Sequence, residues 1–168
     1  MKRLFALLIS IFVIVTCVCS VNVFAAEETV AVDYVGNSES LIDVKNPEGP
    51  SHTTSVKTFV ISAIAVEGAT VTVYSLNTET NLYEKLYTEV VDENNVTTVV
   101  PLESVVGASG LYAQQINLKE GMNNILVYAS KDGMDETVRF DINLLSESFL
   151  DKIKAFTVEI KTELGNIF

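Results

Sequence analysis

Glu136-Thr137-Val138-Arg139-Phe140-Asp141-Ile142-Asn143-Leu144-Leu145 sets Val138, Phe140, Ile142 and Leu144 on one side of an extended chain and Thr137, Arg139, Asp141 and Asn143 on the other. Successive side chains of a strand point to opposite faces, so this stretch reads as a strand with one buried and one solvated face. Upstream the same period recurs: Val71 and Val73 alternate with Thr70 and Thr72, and Ile125, Val127 and Ala129 with Leu126, Tyr128 and Ser130. Val56–Val66 is apolar on both faces and reads as a central strand. Further β-branched and aromatic runs, Leu41–Lys45, Tyr83–Val91, Val96–Val100 and Leu111–Leu118, complete a set spaced as in an all-β sandwich. Glu67-Gly68-Ala69, Lys119-Glu120-Gly121 and Lys131-Asp132-Gly133-Met134 place glycines at tight reversals, which makes sequential strands antiparallel neighbours.

The two ends read differently. Residues 1–25 carry Lys2 and Arg3, an apolar run from Leu4, and Val23-Phe24-Ala25 as a small-residue processing site, so they read as a signal peptide cleaved after Ala25. An uncleaved membrane anchor is the competing reading, because the run approaches the roughly 20 residues a bilayer needs. Both cysteines, Cys17 and Cys19, fall in this segment. The chain from Ala26 therefore has no disulfide and no thiolate chemistry. Residues 26–40 are polar and read as a flexible lead, and Asn46-Pro47-Glu48-Gly49-Pro50 ends the first strand. Residues 41–145 form the sandwich. In residues 146–168, Phe149, Ile153, Phe156, Ile160, Leu164 and Ile167 recur every three or four positions, the stripe of an amphipathic helix. That stripe has three places to go: its own sandwich, a membrane surface, or a protein partner, a second copy included. Lys152, Lys154 and Lys161 are balanced by Asp151, Glu159 and Glu163, unlike the basic polar face of a membrane-surface helix.

Charge narrows the function classes. Without Lys2 and Arg3, 9 bases remain against 22 acids, a net charge of −13. Binding to nucleic acid relies on clustered Lys and Arg, and no such cluster exists. His52, the single histidine, lies in a Pro-Ser-His-Thr loop without an orienting acid at fixed spacing, so neither a nucleophilic triad nor a closed zinc site follows. No pair of acids is spaced as a glycosidase pair. The expectation is a protein that is not an enzyme and holds no cofactor. Asp132, Asp135 and Glu136 crowd one hairpin tip and are the candidate ligands for weak calcium binding, against the plainer reading of solvated acids. Tyr74, Tyr83, Tyr87 and Tyr112 are candidates for an aromatic platform under sugar rings. Tyr83 and Tyr87 share strand parity and would project about 13 Å apart on one face.

The order of motifs also carries a resemblance. Phe59-Val60-Ile61-Ser62-Ala63, Glu67-Gly68-Ala69-Thr70-Val71-Thr72-Val73, Gly110-Leu111-Tyr112 and Leu118-Lys119-Glu120-Gly121-Met122-Asn123-Asn124-Ile125-Leu126-Val127-Tyr128-Ala129 are similar to bacterial immunoglobulin-like modules of the glucodextranase domain-B type. Such modules carry an "isG-x-a-x-pGa-x-V-x-V" hairpin, then "dG-x-f" and "L-x-x-G-x-N-x-i-x-V-x-A". The likeness spans roughly residues 40–145. Ala63 stands where the family usually has glycine, Glu67 where it often has proline, and Gln114 shares a face with Tyr112, Ile116 and Leu118. The resemblance implies an accessory or surface module and an immunoglobulin-like topology. Asn77–Ser109 is longer than the family's usual connection. The combined expectation is an antiparallel immunoglobulin-like sandwich with a C-terminal amphipathic helix, secreted or held at the cell envelope. Its work would be protein interaction, through the 77–109 insertion or through self-association or a partner at helix residues Phe149, Ile153, Phe156 and Ile160. Glycan binding through Tyr83 and Tyr87 is the alternative.

Overall fold

The structure is a computed structural model that describes the backbone of residues 26–165 and the side chains of residues 26–157. The signal-peptide reading of residues 1–25 and the stripe residues Ile160, Leu164 and Ile167 lie outside what it describes at side-chain level. The described residues form an all-β sandwich followed by one helix. Among the described residues twelve strands form: β1 (Thr29–Ala31), β2 (Ile42–Asn46), β3 (Ser51–Thr54), β4 (Thr58–Ala65), β5 (Thr70–Asn77), β6 (Leu82–Lys85), β7 (Tyr87–Val91), β8 (Thr97–Pro101), β9 (Glu103–Val105), β10 (Leu111–Asn117), β11 (Gly121–Lys131) and β12 (Met134–Leu144). Helix α1 spans Glu147–Gly165.

A seven-stranded sheet runs β1-β6-β5-β11-β12-β3, with β9 also on β5. A three-stranded sheet, β10-β4-β2, forms the second layer, and among the described strands β7 and β8 pair only with each other. The alternation read from the sequence decides what fills the space between layers. Val71, Val73, Ile125, Val127, Phe140 and Ile142 come from the large sheet, and Phe59, Ile61, Tyr112, Ile116 and Leu118 from the small one, all buried in one cluster. At about 25 cal/mol per Å² of apolar area removed from water, this layer is the main stabilising term. Asn123 locks the β10–β11 connection: its buried side-chain N–H group donates to the carbonyls of Lys119, Gly121 and Ile142, and its oxygen accepts from Lys119 N.

Four findings differ from the sequence reading. The pair β3–β12 is parallel, because the proline-rich turn at 47–50 brings Ser51–Thr54 back along Asp141–Leu144 in the same direction. Val56–Val66 is central in its sheet, yet only one of its faces is buried, and Val60 and Ile64 are exposed on the other. Tyr83–Val91 is two strands, parted at Leu86. Residues 26–40 are not a free lead. β1 adds to β6, and Val30 joins Tyr74, Tyr83 and Leu126 in a second apolar cluster on the outer face of the large sheet. Gly36 crosses so close to β12 that a Cβ there would collide with the Asp135 carbonyl and the Glu136 Cα, which requires glycine.

Candidate functional site

The features that stand out are two apolar elements the sandwich does not cover. The first begins at Val73, in the middle of β5. Leu86 N donates to Val73 O at 2.9 Å, and Val73 N donates to Leu102 O at 3.0 Å. Beside that residue β6 and β9 stop sharing β5, and Leu102 N turns to Leu86 O at 2.8 Å. From there β7 and β8 continue outward as a ribbon, in register from Tyr87↔Pro101 to Val91↔Thr97. Buried Leu102 and half-buried Leu86 anchor the root in the core cluster.

Nothing in the described chain covers the ribbon. Val90, Val91, Val96 and Val99 are between 48% and 61% exposed. Its tip, Asp92-Glu93-Asn94-Asn95, closes on itself: Asp92 Oδ1 accepts from Asn94 N and Val96 N, both at 2.8 Å. Those backbone donors, Val96 first, hold the Asp92 carboxyl below its usual range. At the root, the Tyr87 hydroxyl donates to the Glu28 carboxylate, lowering Glu28 and raising Tyr87. Beside them the 3%-exposed Lys85 ammonium donates to Ala26 O at 2.5 Å and lies 3.4 Å from Glu103 and 3.5 Å from Glu28. The N-terminal segment is thus tied to the ribbon's base. From Leu86 to Leu118 the sequence has acids and no base, so this arm is both acidic and apolar.

The second element is α1. Ser146 Oγ accepts from Phe149 N at 3.3 Å at its start. Phe149, Ile153 and Phe156 are exposed, so the described part of the stripe is not packed away.

The other candidates fall as follows. Tyr83 and Tyr87 share no platform, because the break at Leu86 separates their faces. Tyr83 is 6% exposed beneath the Arg139 guanidinium, 5.7 Å from the ring centre, whereas Tyr87 is 47% exposed. Tyr74 and Tyr112 are buried. Asp132, Asp135 and Glu136 do not converge. Asp135 is buried, with its carboxylate accepting from the Tyr34 hydroxyl, and Glu136 Oε2 accepts from Leu41 N at 2.7 Å and Ile42 N at 3.0 Å. These acids fasten the N-terminal segment to β12, a role invisible without knowing that the segment crosses there. Among the described residues no group of three His, Cys, Asp or Glu side chains is placed to hold a metal ion. His52 lies on β3 with its ring 5.3 Å from Phe59. An open cleft of about 530 Å³ between β2, the 47–50 turn and β12 has Glu39, Asp43 and Arg139 as its ionisable residues. Two of them are engaged, Asp43 by Lys45 and Arg139 by Tyr34 O and Thr137 Oγ1. No helix among the described residues is long and apolar enough to cross a membrane.

No protein-family model matches this chain, and no curated protein is significantly similar to it.

Proposed function

We propose that this chain is a secreted or cell-envelope interaction module without catalytic activity, and that the β7–β8 ribbon is its contact surface. The carrying observation is that four valines and Tyr87 stand exposed on a two-stranded arm that no layer among the described residues covers. Isolated two-stranded hairpins are marginal in water, and packing against a further strand or a helix stabilises them. Exposed apolar patches with polar rims mark interaction sites. The export reading rests on Lys2, Arg3, the apolar run and Val23-Phe24-Ala25, and the accessory role accords with the likeness to glucodextranase domain-B-type modules. The α1 stripe supports a second contact of the same kind. Glycan binding has less support, since Tyr83 is buried and Tyr87 stands alone.

Photo-cross-linking in the cells that make the protein tests this reading. A photoreactive residue at Val99 should give a discrete protein adduct, and one at Asp132, on the β11–β12 turn of the sandwich, should not. Equal, diffuse labelling from both positions would contradict it.

A further inference from the structure

We infer that the edge of β10 that no other described strand pairs joins the β10 edge of a second copy of this chain, antiparallel about a two-fold axis, making two three-stranded sheets into one. This goes beyond the ribbon reading and does not depend on it.

An exposed strand edge offers a row of unpaired main-chain groups, and proteins usually blunt such edges with charge, proline, bulges or brevity. The two edges of the small sheet contrast in this respect. β2 is blunted by the register shift between Val44 and Asn46, by exposed Lys45 and by Pro47. β10 runs seven residues in unbroken register from Leu111↔Ile64 to Asn117↔Thr58, with no proline, glycine or charge. Ala65 N donates to Gly110 O and Leu118 N to Lys57 O, each at 2.8 Å, so the even-numbered residues of β10 face β4. The main-chain groups of Leu111, Ala113, Gln115 and Asn117 therefore face outward. Two of these are taken up locally: Leu111 N donates to Ser109 Oγ at 3.3 Å, and Gln115 O accepts from the Gln114 side chain at 3.0 Å.

Two observations select a second copy over another partner. Ser104–Leu118 contains no charged residue, so two copies of a strongly acidic chain can meet here without facing carboxylates. Gln114, the polar intruder on the row of Tyr112, Ile116 and Leu118, is half-buried at the centre of the edge. A carboxamide carries both donor and acceptor, so it complements itself across a two-fold axis. Centred on Gln114, Ala113 meets Gln115 of the partner copy and Leu111 meets Asn117, each as a main-chain hydrogen-bonded pair. Gln114 meets its own copy as a non-hydrogen-bonded pair, the closer kind. Exposed Leu111, Ile64 and Val60 then form one apolar strip across the joined outer face.

Sedimentation equilibrium of the chain from residue 26, with two edge variants, tests the pairing. Ala113→Pro removes an outward N–H and leaves the β4 ladder intact, and Gln114→Lys aims a charge into the joint. The parent should dimerise, more tightly as salt screens its net charge. Both variants should dissociate at least about tenfold more readily, in line with the cost of a misplaced edge charge or proline. Gln114→Cys supplies an independent reading, since residues 26–168 contain no cysteine. It should form an intermolecular disulfide at least about tenfold faster than Thr98→Cys on the ribbon, because the paired Cα atoms would lie within bridging range. A parent that stays monomeric, a dimer indifferent to both variants, or equal cross-linking rates at 114 and 98 would each overturn the inference.

Discussion

Val71, Val73 and Val127 are wholly buried in the sandwich, whereas Val90, Val91, Val96 and Val99 stand exposed on the ribbon. The residue type and the extended backbone are the same in both places. What differs is the second layer: β5 and β11 face the β10-β4-β2 sheet, and no described element covers β7–β8. Strand propensity describes fitness for a pleated, half-buried surface, and does not itself supply the cover. One region therefore specifies the fold and the other is available for contact.

The strongest way to break this contrast is to place the same charge in both regions. Val73→Asp should cost more than about 4 kcal/mol and abolish cooperative folding, because it buries an unpaired carboxylate. Urea titration followed by circular dichroism reads this directly. Asn123→Ala should cost about 3 kcal/mol in the same titration, since it orphans main-chain groups of Lys119 and Ile142 at the sandwich rim. The clamp of the N-terminal segment should show as an alkaline limit. Tyr34 is pushed up to about 12 by its hydrogen bond to Asp135 and by burial, and Tyr74 and Tyr112 are raised by burial. The folded chain keeps these protons where the unfolded chain, with an ordinary value near 10, releases them. Stability should hold up to about pH 10 and fall as pH rises towards 12, and Tyr34→Phe should flatten part of that fall in a denaturation series across pH. Stopping the chain at Leu145 should shift Tm by less than about 3 °C, because the described α1 stripe is not packed away. Val91→Asp, on the same ribbon face as Val99, should change stability by less than about 0.5 kcal/mol, the ordinary surface range, while abolishing adduct formation from a photoreactive residue kept at Val99.

Much of the body was legible in the sequence because period-two alternation and glycine turns are local signals. Val138, Phe140, Ile142 and Leu144 take the inner face as their spacing requires. What escaped was set by contacts distant along the chain. Asp135 and Glu136 looked like a cation site at a hairpin tip, yet their partners are Tyr34, Leu41 and Ile42, about a hundred residues away. The lead at 26–40 looked free because its apolar residues are few, and Val30 alone enters the second cluster from β1. The Tyr83–Val91 stretch carried an unbroken strand pattern, so neither the break at Leu86 nor the unequal burial of Tyr83 and Tyr87 followed from parity. Of the two uncovered elements, the sequence marked out the 77–109 stretch that holds the ribbon and the helix positions Phe149, Ile153 and Phe156. It did not show that Val73 is where the ribbon leaves the sheet, because that depends on β5 being shared by β6 and β9.

If the sandwich alone specifies the fold, the body folds without the ribbon. Replacing Glu89–Val99 with Asn-Gly keeps the root and closes a two-residue turn on the hydrogen-bonded pair Thr88 and Val100. Thermal unfolding of this shortened chain is the most direct measurement. A single cooperative transition with Tm within about 3 °C of the parent is expected. Loss of cooperativity, or a drop of more than about 10 °C, would mean that the ribbon is part of the core and would contradict it.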